Sequence, residues 1–274
     1  MTTDVARHYE QTGLLDRILV ALIAAGKDLD RLTIDDLAPV DEFHSRQRGA
    51  TEELARLLAP RGSDQVIDIG SGIGGPSRYI AQTFGCRVSG VDLTPEFVSV
   101  ATALTQRVGL SDRVDFRQGS ALALPFPDAS FDCAWSQNVA MNIEDRPRYY
   151  AEMCRVLRPG GRLAIQDVAR GTGGEIEFPV MWADRPEISF LRTPEDTRAM
   201  LEQAGFRIEA WQDNTATSLA EAATQRARAV PGQQPPVLGI HVVVGPSFGN
   251  KMRNALRAME AGKTRLITAV AVRA

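Results

Sequence analysis

The sequence predicts an α/β protein built on a doubly wound sheet of parallel strands. Three observations carry that expectation. Short apolar segments alternate with helical ones from Gln65 onward, at the pitch of strand–helix–strand units. A glycine-rich loop from Asp68 to Pro76 (DIGSGIGGP) lies between the first strand and the next helix, where such sheets bind ligands. An acidic residue, Asp92, ends the second strand 22 positions beyond Gly70.

Residues 1–45 read as a helical extension. Leu14, Leu15, Ile18, Leu19, Leu22 and Ile23 recur at helical spacing, Asp16 and Arg17 fall on another face, and Gly26 ends the helix. That apolar face suits a core, a second subunit or a lid over a pocket. Strands are expected at 65–69, 87–92, 114–118, 131–136 and 162–168, short and apolar as strands covered on both faces are. Helices fall at about 76–84, 95–108 and 145–157. Leu157-Arg158-Pro159-Gly160-Gly161 reads as a tight turn, and 171–192 as an insertion. Thr193 and Pro194 open a further helix as N-cap and first-turn proline, Gly205 ends it, and 206–212 reads as a strand. Helices at about 215–229 and 248–261, separated by a Pro- and Gly-rich loop from Pro231 to Pro236, lead to a last strand at 265–273. The expected organisation is one domain over 1–274: the extension at 1–45, a ligand-binding core at 46–170, and a cap with the last two strands at 171–274.

A chain of 274 residues buries enough surface to need no cross-links. Its 44% hydrophobic and 24% charged residues suit a globular protein rather than a disordered one. A net charge of −3 leaves no basic surplus for a phosphate backbone, which argues against nucleic acid as a partner. Neither Leu14–Ala25, broken by Asp16 and Arg17, nor Val237–Val244 approaches the roughly 20 apolar residues of a membrane span. Met1–Glu10 lacks the basic start and apolar core of an export signal, so a cytoplasmic location is expected. Cys86, Cys133 and Cys154 are odd in number and form no C-x-x-C pair, which suits packed free thiols. No metal-ligand cluster is visible, and no metal is expected.

The glycine loop by itself is ambiguous. Gly70, Gly72 and Gly75 satisfy G-x-G-x-x-G, and Asp92 stands where a carboxylate holds ribose hydroxyls, in a dinucleotide or another adenosine. Asp68 separates the two. A carboxylate beside a pyrophosphate is repelled, by roughly 3 kcal/mol per charge pair at about 5 Å and an effective dielectric near 20. A ligand carrying an ammonium and a sulfonium reverses that sign. A structural role for Asp68, accepting loop N–H groups, is the alternative.

Four segments in order, VIDIGSGIGG, GVDLTPEFV, FRQGSALALPFPDASFDCAWSQNVAMNIED and EMCRVLRPGGRLAIQDV, resemble the successive motifs of class I S-adenosylmethionine-dependent methyltransferases. The subgroup is the small-molecule type, similar to the ubiquinone/menaquinone, tocopherol and sarcosine/dimethylglycine methyltransferases. The resemblance spans about residues 40–213. It implies a Rossmann-like sheet of seven strands, S-adenosyl-L-methionine as cofactor with S-adenosyl-L-homocysteine as product, and a small-molecule methyl acceptor. It further implies that Asp68, Gly70, Ser71 and Gly72 meet the methionine portion, Asp92 the ribose, and Leu93 the adenine. Ser120 stands where the family often has Asp against the adenine amino group, and the N–H of Ala121 serves the ring. Gln137, after the fourth strand, is placed against the cofactor, and Asn138 and Met141 on the acceptor side.

If a general base is used, His44, His241 and Tyr9 are the candidates, His8 being expected in solvent. Trp182, after Phe178-Pro179-Val180-Met181, lines an acceptor pocket or seals a cap. Tyr149 and Tyr150 read as packing, Arg146 and Arg148 as a solvated face. The stretches 14–23 and 237–244 suggest a possible homodimer. Two other readings stand beside methyl transfer: a non-catalytic S-adenosylmethionine-binding module, and an NAD-dependent oxidoreductase, for which no Tyr-x-x-x-Lys motif is present.

Overall fold

The computed structural model describes residues 5, 8, 9, 13–228 and 236–274. The export-signal reading at Met1–Glu10 and the loop expected at 231–236 lie almost wholly outside them. Among the described residues, helices α1 (Leu14–Ala24), α2 (Ile34–Asp41) and α3 (Gln47–Leu58) precede the sheet. Then come β1 (Gln65–Ile69), α4 (Gly75–Phe84), β2 (Arg87–Asp92), α5 (Pro95–Arg107), β3 (Val114–Gln118) and β4 (Phe131–Gln137). They are followed by α6 (Arg146–Val156), β5 (Leu157–Arg170), α7 (Pro194–Gln203) and β6 (Phe206–Asp213). The chain closes with α8 (Thr215–Arg228), α9 (His241–Val244), α10 (Phe248–Glu260) and β7 (Thr264–Arg273).

The seven strands form one sheet in the order β3-β2-β1-β4-β5-β7-β6. Strands β1 to β5 run parallel, and β7 lies antiparallel between β5 and β6. The strand order reverses between β1 and β4, so their carboxyl ends frame a crevice. Both faces are covered. On one, Ile67, Ile69, Leu163 and Ile165 pack with Tyr149, Tyr150 and Met153 of α6. On the other, Val66, Val88, Cys133, Trp135 and Ala164 pack with Leu54 and Leu58 of α3 and Ile80 of α4. Alternation along β1 therefore turns Asp68 to the same side as Val66, toward α4.

Local chemistry explains most boundaries. Thr33 caps α2 in a reciprocal box with Asp36. Asp145 caps α6, and Thr193 caps α7 one residue before its proline. The fifth strand departs from expectation. It begins at Leu157 rather than 162, because buried Leu157 pairs with Phe131, and the extra residues bulge before Arg162 pairs with Cys133. Gly160, at φ 76, supplies the left-handed residue within the bulge. The expected turn is thus part of the strand. The run 237–244 contains the short helix α9, which periodicity in so few residues did not reveal.

Arg146 is buried rather than solvated: it donates to the carbonyls of Ile143 and Phe190 and to the Tyr150 hydroxyl, while Arg148 is exposed as expected. Leu14, Ile18 and Leu22 of α1 share one apolar cluster with Leu37, Val40, Phe97, Leu238 and Val243. The two stretches read as a subunit interface therefore pack against each other within the chain. Among the described residues, no helix is long and apolar enough to cross a membrane.

Candidate active site

A cavity of about 650 Å³ opens at the crevice between β1 and β4. The glycine loop forms its floor. Gly70 has φ 77, and a Cβ there would lie 2.2 Å from Val139 Cγ2. Gly72, at φ 53, leaves only enough room for the Phe43 ring. Both conformations and both approaches require glycine. The loops after β1 and β4 therefore touch.

Asp68 is buried, and its Oδ2 accepts a 2.6 Å hydrogen bond from Ser77 Oγ of α4. Burial, with Asp92 and Glu42 adding to it against Ser77 and His44, pushes its carboxyl up to about 7. Asp92 accepts from the N–H groups of Gly72 and Thr94, both at 2.9 Å, so one carboxylate joins the glycine loop to the start of α5. Burial raises it too. Asp68, Ser71 and Asp92 all border the cavity, as do Leu93, Ser120 and Ala121 along its β2–β3 side.

The loop after β4 is held by β5. Asp167 Oδ1 accepts from the N–H groups of Val139 and Ala140, each at 3.0 Å, and the Asn138 N–H donates to the Gln166 carbonyl at 2.7 Å. Burial pushes the Asp167 carboxyl up to about 6. Asn138 takes a left-handed φ of 55, which asparagine tolerates. Gln137, Asn138 and Met141 all reach the cavity wall. The Gln137 amide donates to Gln166 Oε1 at 3.0 Å. Its Oε1 faces Thr51 Oγ at 3.4 Å, but the single Thr51 proton goes to Glu42, at 2.7 Å.

His44 lies in this network. Its Nε2 is 2.8 Å from Glu42 Oε2 and its Nδ1 is 3.2 Å from the Ser45 carbonyl. Both nitrogens are engaged, so His44 offers no spare lone pair to the cavity it borders. Burial would raise Glu42, but the His44 hydrogen bond and charge, Arg48 and Thr51 outweigh it and hold the carboxyl below its usual range. His241 starts α9, with its ring beside Phe248, and is not part of the cavity wall.

The roof comes from distant parts of the chain. Tyr9 donates to Asn142 Oδ1 at 3.0 Å, and Asn142 donates to the carbonyls of Trp182 and Ile188. Burial, then the Asp92 and Asp184 charges, raise the Tyr9 phenol above its ordinary value, so it holds its proton at neutral pH. Trp182 is buried with Met141, Val168 and Ile188, bonds Ser189 through Nε1, and borders the cavity. His8 is not in solvent. It lines the same cavity, its side chain is only 3% exposed, and Asp184, 176 residues away, accepts from its ring.

Other residues with a place here escaped the sequence reading: Trp135, Asp167, Glu42, Asp184 and Lys251. The Asp167 carboxylate lies in the segment AIQDV, where a charge inside an apolar strand was the available signal. Among the described residues, four buried polar atoms on cavity residues make no hydrogen bond within the protein: Asp41 Oδ2, Ser71 Oγ, Trp135 Nε1 and Asn138 Oδ1.

Residues 67–165 match the family described as "Methyltransferase domain". Methyltransferase GfsG of Streptomyces halstedii is 35% identical over 209 residues, covering 75% of this chain and 73% of that protein. The 27-O-demethylrifamycin SV methyltransferase of Amycolatopsis mediterranei is 31% identical, over 65% of this chain and 66% of its own. The fold is shared with the geranyl diphosphate C-methyltransferase of Streptomyces coelicolor A3(2), solved with Mg2+, geranyl-S-thiolodiphosphate and S-adenosyl-L-homocysteine. That structure superposes with a TM-score of 0.70 at 18% identity, over 100% of this chain and 98% of that one. Motif order, sheet topology and these relationships agree: the chain belongs to the small-molecule type of class I S-adenosylmethionine-dependent methyltransferases.

Proposed function

We propose that the chain transfers the methyl group to one small acceptor by in-line displacement within this cavity, in one domain organised as an extension at 1–45, a core at 46–170, and an insertion and cap with the last two strands at 171–274. The observation that carries the reading is a pair of carboxylates, buried Asp68 and half-buried Asp92, at the ends of adjacent strands on either side of the glycine loop. The residues fit the cofactor. Asp68 suits its ammonium, and Asp92 has lone pairs left for two ribose hydroxyls. Ser71 and Trp135 bring unpartnered donors for its carboxylate. Leu93, Ser120 and Ala121 suit the adenine, and Gln137 and the loop from Gly70 to Gly72 enclose the methionine portion. S-adenosylmethionine supplies an activated methyl group on a sulfonium that leaves readily.

The protein's task is therefore position, and holding two reactants in line contributes on the order of 7–11 kcal/mol. Asn138, Met141 and Trp182 face the acceptor. Relatives are named for both O- and N-methylation, so family membership leaves the acceptor atom open.

A thermal-shift titration with S-adenosylmethionine, S-adenosylhomocysteine and NADH tests the site. The two adenosyl-sulfur ligands should each stabilise by about 2.7 kcal/mol at 100 times their dissociation constant, and NADH by nothing. Stabilisation by NADH alone would refute the proposed site. Transfer of tritiated methyl to an acceptor panel separates an enzyme from a binding module.

Asp68 makes cofactor binding pH-dependent. Its folded-state value, about 7, lies above the ordinary 3.8, so between those limits the cofactor-free protein holds a proton there that the unfolded chain lacks. Its contribution to stability is present at low pH and is lost as pH rises through 7. An ammonium alongside favours the carboxylate. Binding at pH 6.5 should then release roughly three quarters of a proton, and affinity should fall as pH drops below 7. Calorimetry in two buffers of different ionisation enthalpy reads this directly. Binding without proton release would separate Asp68 from the ammonium.

A further inference from the structure

We propose that His8, oriented by Asp184, is the general base of the reaction, and that the acceptor group is a neutral hydroxyl on an otherwise apolar molecule. The proposal rests on the cavity assignment above. His8 Nδ1 lies 2.8 Å from Asp184 Oδ2, which makes Nδ1 the protonated nitrogen and leaves the lone pair on Nε2. Among the described residues, the protein oxygen facing Nε2 is the Met181 carbonyl, at 3.5 Å, too far to hold a proton there. The ring is fixed from a second side by Tyr9, edge-on at 4.7 Å between centroids.

The charges around the ring suit a base. Asp184 is shared with Lys251, whose Nζ lies 2.9 Å from Oδ1. Burial, then the Lys251 charge, keep His8 below its ordinary value, against the pull of Asp184. The ring is therefore neutral at pH 7, and Asp184 stands ready to stabilise the imidazolium that forms. Among the described residues, the charged or titratable groups around His8 are Asp184 from the 171–192 segment, Lys251 from α10 and the neighbouring Tyr9, behind which stands Asp92. His44, Tyr9 and His241 do not compete: the first is engaged at both nitrogens, the second keeps its proton, and the third is outside the cavity.

A neutral base beside the acceptor is idle for a carboxylate, and for an amine already deprotonated in solution. It matters for an alcohol or phenol. As the acceptor oxygen bonds to the methyl carbon, the carbon–sulfur bond breaks and its electron pair stays on sulfur. The hydroxyl proton passes to His8 Nε2 and then to solvent beside the half-exposed Asp184. Met181 borders His8, and Met141, Trp182 and Met259 line the same cavity, giving it an adaptable apolar portion of wall.

The test uses the full chain labelled with 15N-histidine and saturated with S-adenosylhomocysteine. The signal that disappears in His8→Gln should report a neutral ring at pH 7, protonated on Nδ1 and titrating below 6.5. Asp184→Asn should abolish that tautomer preference. With tritiated cofactor, 2-naphthol should be methylated in a His8-dependent manner, and any transfer to 2-naphthylamine should not depend on His8. His8→Gln should lower kcat by roughly 10²–10⁴-fold and remove the acidic limb of its pH profile, with S-adenosylhomocysteine affinity kept within twofold.

A charged His8 at pH 7, an unchanged tautomer in Asp184→Asn, transfer to the amine alone, or kcat within threefold in His8→Gln would each overturn the proposal. If neither naphthalene compound is turned over, or if His8→Gln does not fold, the wild-type titration and Asp184→Asn decide. Loss of S-adenosylhomocysteine binding by the wild type would count against the cavity assignment instead.

Discussion

Replacing Arg78 by methionine should lower the stability of the cofactor-free protein by about 3–5 kcal/mol, because a buried charge loses its partner. Arg78 has no exposed surface. Its Nη2 lies 2.7 Å from Asp41 Oδ1 and donates to the Ile73 carbonyl of the glycine loop at 2.8 Å. Its Nη1 reaches the Ala101 carbonyl and Thr105 of α5. One guanidinium thus ties α2, α4, α5 and the loop together. Burial pushes Asp41 up to about 6 even with Arg78 beside it. Without Arg78 it rises further, so the loss should be greater at pH 8 than at pH 5. Asp41→Leu in the Arg78→Met background should recover more than half of the loss, since an apolar pair leaves no charge stranded. Urea unfolding of the two single variants and the double variant measures the coupling. A loss under 1 kcal/mol for Arg78→Met would show that water reaches Asp41.

Asp92→Ala should weaken S-adenosylhomocysteine binding by about 10²–10⁴-fold. The proposed site gives Asp92 two charge-assisted hydrogen bonds to the ribose, at about 1.5–3 kcal/mol each, and the substitution would remove both. The substitution also strands the N–H groups of Gly72 and Thr94, so the loop loses its tie to α5. Asp92→Asn keeps one acceptor oxygen and should fall between. Calorimetric titration of both variants distinguishes the effects. Unchanged affinity in Asp92→Ala would move the ribose elsewhere, while a loss of stability with normal affinity would leave Asp92 as a loop clamp only.

Much of the proposed cofactor side, and the strands that carry it, was legible in the residues. The first three strands stand where their apolar segments end, at 65–69, 87–92 and 114–118. Helix starts followed prolines and caps, as at Pro95 and Thr193. The glycine loop needs no distant partner to be read, because its chemistry is that of consecutive residues. Misreadings arose where a side chain's environment is set across the fold. Arg146 and Arg148 are alike in sequence, yet the loop carrying Phe190 covers one and not the other. His8 looked solvated because nothing near it in the chain buries or pairs it.

The sequence by itself determined the strand–helix order, the loop between β1 and α4, and the two carboxylates at its sides. These follow from local periodicity, turn chemistry and strand ends. Tertiary structure alone decided the part of the cavity proposed to face the acceptor. There Tyr9 meets Asn142, His8 meets Asp184, and Lys251 meets Asp184, each pair joined across more than sixty residues of chain. A hydrogen bond between such segments leaves no periodic trace, because its geometry is set only once the intervening sheet has packed.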